Sequence, residues 1–184
     1  DSDNNVKYVS DDEIVKLLHK GTNVIYFGWS ECNWCRTALP ILLKTLKENN
    51  VDTLYYYNLK KLRDSYENED EEKSKIYEEI IKVIGTDINT VFDENSTRAN
   101  EKKVLVPTVV FIKDGNYVGL HFKTVDSQVN STDELDEQEK KENYQAYLLP
   151  TKPPSCYFLH IFPEEGNLRD SYCSEYNFLR DSNH

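Results

Sequence analysis

The sequence predicts an α/β fold in which a central mixed sheet is flanked by helices. Three observations carry this expectation. Val24-Ile-Tyr-Phe27 is an apolar, strand-like run that breaks at Gly28, and the segment Arg36 to Lys47 then places Leu39, Ile41, Leu42, Leu43 and Leu46 on helical spacing. Val51 to Leu59 returns to strand composition, so strand, helix and strand form a βαβ unit, whose default is a parallel pair with a right-handed crossover. Val104 to Lys113 and Tyr117 to Phe122 flank Asp114-Gly115, a hairpin signal that adds an antiparallel pair.

In chain order, Asp1 to Tyr8 is polar and is expected to fray. Ser10-Asp-Asp-Glu13 has the spacing of a capping box and opens a short amphipathic helix through Ile14, Leu17 and Leu18 that stops at Gly21. Pro40 lies inside the next helical pattern and should kink it. Residues 60–103 read as a long charged connection. Within it, Glu67, Glu69, Asp70, Glu71 and Glu72 are taken as a solvated acidic face, and Ile76, Tyr77, Ile80, Ile81 and Ile84 give a helical stripe ending at Gly85. Asp93 to Lys103 reads as a surface loop. Ser131-Thr-Asp-Glu134 matches a second capping box and predicts a helix to about Leu149, anchored by Leu135, Tyr144, Tyr147 and Leu148. Prolines 150, 153 and 154 end it, and an aromatic tail follows from Ser155 to His184. The expected division is a domain over 1–149, with an insertion at about 60–103, and a C-terminal extension over 150–184 packed on it.

Composition narrows the partners. The chain has 184 residues, a formal net charge of -11, 38% hydrophobic and 30% charged residues. That charge argues against nucleic acid or an anionic membrane surface as the main partner, since both repel it. No apolar run approaches the ~20 residues of a membrane helix. There is no methionine, and a processed leader or a lost lipid anchor ahead of Asp1 is the expected route to any membrane. A monomer is expected.

The chemistry concentrates in Cys32-Asn-Trp-Cys35, where a strand hands over to a helix. Unpaired backbone N–H groups and the positive end of the helix dipole favour a thiolate there, and two-residue spacing lets the second thiol resolve a mixed disulfide on the first. Such a pair can be a redox pair, half of a zinc site or a structural disulfide. Zinc needs two further ligands, which Cys156 with His160 would have to supply from the tail, and the redox reading is preferred. Cys156 and Cys173 read as a structural disulfide, closing a loop of ~18 residues for roughly 3 kcal/mol in the chain-entropy model. Two cysteine pairs fit an oxidising compartment. His121 and His160 read as packed or exposed rather than catalytic, and Trp29 as either core or site rim.

The element order, Cys32-x-x-Cys35 at the junction, Pro40 five residues after the second cysteine, and Val106-Pro107 at the third core strand resemble the thioredoxin-like superfamily over residues 10–149, about three quarters of the chain. Tyr26-Phe-Gly-x-x-x-Cys-x-x-Cys-Arg and Gly119-x-His-x-x-Thr-Val-Asp126 are similar to the bacteriocin transport accessory branch of Gram-positive bacteria. The resemblance implies a thioredoxin fold with a helical acidic insertion before a cis-Pro strand and an irregular C-terminal extension. It also implies that Pro107 packs in cis beside the sulfurs and that Val106 offers its backbone to a substrate chain. The buried acid of many thioredoxins is replaced by Tyr26, and the nearby strand lysine by a tyrosine within 55–57.

The resulting expectation is an extracytoplasmic thiol-disulfide oxidoreductase, secreted or cell-surface, with catalytic Cys32 and Cys35. Trp29, Trp34, Val106 and Pro107 would bind a protein thiol or disulfide substrate, an unidentified partner would recharge the pair, and no cofactor or metal is called for. The alternative is a non-catalytic accessory module of the same fold with a permanent Cys32–Cys35 disulfide.

Overall fold

Consecutive residues of the Asn23–Gly28 strand are all buried, yet they alternate between two separate cores, which places this strand at the centre of a sheet covered on both faces. In a computed structural model of the chain, which describes residues 5–148, five strands and five α-helices build that arrangement. They run β1 (Asn5–Tyr8), α1 (Asp11–His19), β2 (Asn23–Gly28), α2 (Asn33–Glu48), β3 (Thr53–Asn58), α3 (Leu59–Glu67), α4 (Glu71–Ile84), β4 (Thr108–Lys113), β5 (Asn116–Phe122) and α5 (Glu137–Leu148). The strand order is β1-β3-β2-β4-β5. Strands β1, β3 and β2 are mutually parallel, whereas β4 runs antiparallel to β2 and β5 antiparallel to β4. The expected α/β class, the mixed sheet and the thioredoxin fold are therefore present.

One core joins Ile25, Phe27, Tyr57, Val110 and Ile112 of the sheet to Ile14 and Leu18 of α1, Leu62 and Tyr66 of α3, and Tyr77, Ile80 and Ile84 of α4. The other joins Val24, Tyr26, Leu54, Tyr56, Val109 and Phe111 to Cys35, Leu42 and Leu46 of α2 and Tyr147 of α5. The period of two in β2 thus sends Tyr26 to the α2 face and Phe27 to the opposite one.

Several expectations need correction. Residues 5–8 do not fray: β1 pairs with β3, and Val9 N–H donates to the Tyr56 carbonyl at 3.0 Å. A four-residue edge strand is too short to show period-two alternation in its sequence. The β3 strand covers Thr53–Asn58 rather than 51–59, because Asn58 caps α3 by accepting the Lys60 N–H at 3.1 Å. The strand expected from Val104 begins at Thr108. Helix α5 opens later than Ser131: Asp136 and Glu139 form the reciprocal box, with Glu139 N–H on Asp136 Oδ1 at 2.8 Å and Asp136 N–H on Glu139 Oε2 at 2.9 Å.

The insertion contains a helix that was not anticipated. Leu59, Leu62 and Tyr66 of α3 are buried, but they are few among charged neighbours, and the i, i+3, i+7 pattern is easily overlooked. The acidic run has a local purpose, since Asp70 caps α4 through the Lys73 N–H at 2.9 Å and Glu71 and Glu72 sit in the first turn, where the helix dipole favours negative charge. The Ser10 box forms as expected, Glu13 accepting from Ser10 N–H and Oγ at 2.8 Å. At the hairpin, Asp114 and Gly115 have φ of 51° and 76°, and a Cβ on Gly115 would lie 2.6 Å from the His19 carbonyl oxygen.

The insertion is bound to the sheet by side-chain polar bonds. Asp11 accepts from Tyr57 at 2.7 Å and from Lys73 at 2.5 Å, and Tyr117 donates to Asp87 at 2.6 Å. Tyr77, fully buried in α4, accepts the Val104 N–H at 2.8 Å and donates to the Lys102 carbonyl at 3.3 Å. Tyr77→Phe leaves that buried N–H without its acceptor, which costs about 1–3 kcal/mol. The expected result is a lower urea midpoint with an unchanged slope.

Candidate active site

The turn after β2 sets the geometry. Trp29 follows Gly28, and its carbonyl accepts the Cys32 N–H at 3.3 Å, closing the turn that delivers Cys32 to the N-terminus of α2. Cys32 is the helix N-cap: its Sγ accepts the Cys35 N–H at 3.2 Å, and its carbonyl accepts the Arg36 N–H at 3.1 Å. A sulfur thereby takes the place usually filled by a serine or aspartate oxygen. Cys35, one turn inward, is 3% exposed, whereas Cys32 is half-buried; both are free thiols.

These positions separate the two thiols chemically. The hydrogen bond from the Cys35 thiol, the N–H groups of Cys35 and Trp34 and the charge of Arg63 outweigh burial and bring Cys32 down to about 7. The same shared bond, followed by burial, pushes Cys35 well above the usual thiol range. Cys32 therefore loses its proton around neutral pH while Cys35 keeps its own.

The opposite wall is the entry to β4. The Val106-Pro107 bond is cis, Pro107 is buried, and the half-buried Val106 places its carbonyl oxygen 4.0 Å from Cys32 Sγ. The Thr108 hydroxyl donates to the Leu105 carbonyl at 2.8 Å, and the Pro107 carbonyl accepts the Lys123 N–H at 2.9 Å, so this entry is tied on both sides.

Beneath the thiols lies a layer of tyrosines. Tyr26, 0% exposed, donates its hydroxyl to the Cys35 carbonyl at 2.9 Å and stacks on Tyr56 at 5.4 Å between ring centres. Burial pushes Tyr26 far above the ordinary phenol range and Tyr56 up to about 12, so both hydroxyls stay protonated. Gly28 is required by the same ring, since a Cβ there would sit 2.4 Å from Tyr26 Cε1. Tyr147 of α5 donates to the Ala38 carbonyl at 3.5 Å, and His121 packs edge-on to it at 5.0 Å. Burial lowers His121 to about 4, so it is neutral and sits in the packing rather than at the thiols.

The structure thus gathers Cys32, Cys35, Val106 and Pro107. Trp29 and Trp34 flank them and are half-buried, each contributing backbone to the Cys32 turn. Sequence reasoning missed Arg63 of α3, whose guanidinium lies 4.7 Å over the Trp29 ring. A signal existed: positions 59, 62, 63 and 66 follow the i, i+3, i+4, i+7 stripe of α3, and an arginine there stands where an apolar residue is expected. Cys156, Cys173 and His160 lie outside the described residues. Among the described residues, no cluster of three or more His, Cys, Asp or Glu side chains could hold a metal.

No protein-family model and no curated protein matches the chain. Among solved structures it is similar to the Malassezia sympodialis thioredoxin Mala s 13, at 16% identity over 77% of this chain and 92% of that one, with a TM-score of 0.41. It is also similar to thioredoxin O1 of Arabidopsis thaliana in its oxidized state, at 20% identity over 65% and 86% of the two chains and a TM-score of 0.39. Mitochondrial thioredoxin 3 of Saccharomyces cerevisiae gives 16%, 76%, 94% and 0.38 for the same quantities. The fold is defined independently by its own strand order and helix placement.

The asymmetry of the thiols has a direct readout. The rate of Cys32 alkylation by iodoacetamide, followed by mass at each cysteine, is expected to rise with a midpoint at about pH 7, with Cys35 silent up to pH 9. Because the folded Cys32 value lies below the ordinary 9.0, its thiolate stabilises the reduced fold fully above 9.0, and this contribution is lost as pH falls through about 7. The urea midpoint of the reduced protein should accordingly gain a contribution from Cys32 as pH rises from 7 to 9; its absence in Cys32→Ser checks the assignment.

Proposed function

We propose that this chain is a thiol-disulfide oxidoreductase acting on protein disulfides or thiols through Cys32-Asn-Trp-Cys35. The observation that carries this reading is a thiol lowered to about 7 at the N-cap of α2, with a protonated second thiol one turn inward and the Val106 carbonyl across from it. A structural disulfide has no use for that asymmetry, whereas exchange chemistry needs one attacking and one waiting sulfur.

In the reductive direction, the Cys32 thiolate attacks one sulfur of a substrate disulfide. A Cys32–substrate disulfide forms, and the other substrate sulfur leaves as a thiolate that takes a proton from water. Cys35 then attacks the Cys32 sulfur, its proton passing to the departing substrate sulfur. The protein pair ends oxidised and the substrate reduced by two electrons. Oxidation of a substrate dithiol is the same sequence reversed. Val106, whose carbonyl faces Cys32 Sγ, would offer its backbone to an extended substrate segment beside Pro107, and Trp34 and Trp29 line the rim.

Many thioredoxins place a buried carboxylate where Tyr26 stands. A phenol held protonated by burial cannot act as the base that deprotonates Cys35, so the resolving step relies on the departing substrate thiolate. The finer assignment also belongs to this proposal: a member of the thioredoxin-like superfamily nearest the bacteriocin transport accessory branch, working as a monomer outside the cytoplasm of a Gram-positive bacterium and recharged by a separate redox protein.

Cys32→Ser is expected to abolish turnover of a peptide disulfide, and Cys35→Ser to accumulate a mixed disulfide visible by mass. A titration of the pair against glutathione, with Cys156 and Cys173 tracked separately, should give a potential between roughly -270 and -120 mV. A value below about -300 mV, or turnover by Cys32→Ser, would overturn the proposal and leave the accessory module with a permanent disulfide.

A further inference from the structure

Arg63 is the cation of the insertion that reaches the thiol site, and its surroundings differ from those of a structural arginine. Arg98 provides the comparison within the same insertion. Its guanidinium also lies over an aromatic ring, Tyr66 at 4.3 Å, but Nε donates to the Tyr66 carbonyl at 3.0 Å, Nη2 donates to Ser74 Oγ at 3.0 Å, and Glu101 lies 3.8 Å from Nη1. The Arg63 guanidinium lies 4.7 Å from the Trp29 ring centre, its side chain makes no hydrogen bond or ion pair among the described residues, and its buried Nε has no partner. With Nε buried against the protein, the two Nη groups are the part of this guanidinium left to meet a planar, bidentate acceptor. The backing residue, Trp29, is the one whose carbonyl holds the Cys32 N–H, so Arg63 and Cys32 meet the same residue, and the positive charge of Arg63 acts on the Cys32 thiol. The neighbouring acid, Glu31, is engaged elsewhere: it accepts the Ser30 hydroxyl at 2.9 Å and lies in the field of Lys60.

We infer that Arg63, backed by Trp29, forms an anion-binding subsite beside Cys32 that selects disulfides and thiols carrying a carboxylate next to the reacting cysteine, as in an acidic peptide. This rests on the reading of Cys32 as the attacking thiol. It also gives the insertion a role: α3 brings a positive group to the rim of a chain whose net charge is -11. At physiological ionic strength the remote carboxylates are screened beyond ~8 Å, and the contact charge decides.

Two alkylating reagents of similar size separate this role from simple activation of the thiol. Iodoacetamide is neutral and iodoacetate carries a carboxylate; in both, the Cys32 thiolate displaces iodide and a sulfur–carbon bond forms. Loss of thiolate slows both equally, so the ratio of the iodoacetate rate to the iodoacetamide rate reads the anion preference alone. At 0.15 M ionic strength that ratio, measured at Cys32 by mass, is expected to fall about fivefold in Arg63→Gln. Arg63→Lys, which keeps the charge and loses the fork, should lie between, and thermal melts establish that both variants are folded. Equal ratios in wild type and Arg63→Gln would overturn the subsite. Because alkylation requires no turnover, absence of disulfide reduction would count against the oxidoreductase reading while leaving this ratio decisive. Where turnover is measured, the wild type should favour an acidic over a neutral peptide disulfide in kcat/KM, and persistence of that preference in Arg63→Gln would also overturn the inference.

Discussion

The N–H of Cys35 directed at the Cys32 sulfur is the interaction on which the candidate site depends. It caps α2, and it also lowers the cap residue's proton affinity, so folding the helix and activating the thiol are one event. The surrounding structure keeps that cap in place. β2 delivers the turn, the Trp29 carbonyl closes it, and Tyr26 holds the Cys35 carbonyl from below. Pro40 inside the helix lies well beyond this first turn, so the backbone bond it lacks is not one of those that set the thiol.

The tyrosine layer changes the character of the site's interior. A carboxylate under the thiols would be a second titrating group coupled to Cys35. Tyr26, Tyr56 and Tyr147 form instead a stiff, neutral bed whose hydroxyls are occupied with backbone carbonyls or held protonated by burial. The pH behaviour of the site between 5 and 9 therefore reduces to one group, Cys32, with His121 neutral across that range.

Much of this was legible in the sequence because burial on both faces leaves unbroken apolar runs. Val24 to Phe27 and Val109 to Ile112 read as strands for that reason, and Asp114-Gly115 announced its turn through the positive φ both residues adopt. The strand-to-helix placement of Cys32 was readable, because a β-rich run stops at Gly28 and a leucine stripe starts after it. What was not legible depended on distant partners. β1 exists because Leu54 and Tyr56 offer it a register, not because Asn5 to Tyr8 has a pattern of its own. α5 could be started at Ser131 or at Asp136 by the same capping rule, and burial of Leu135 ahead of the later box accompanies the choice. Arg63 was hidden among the charges of α3, and only the fold reveals that its side of the helix meets Trp29.

The hydroxyl of Tyr77 gives the insertion a further meaning. It bridges α4 to Val104 and Lys102, just ahead of the Val106-Pro107 turn that faces Cys32. The insertion cannot therefore be excised as a decoration. A minimal version of this protein built by joining β3 to β4 with a short linker would lose the acceptor for the Val104 N–H, and the lip opposite the thiol would have to find another anchor. Trimming and redesign should treat α4 and the β4 entry as a single part.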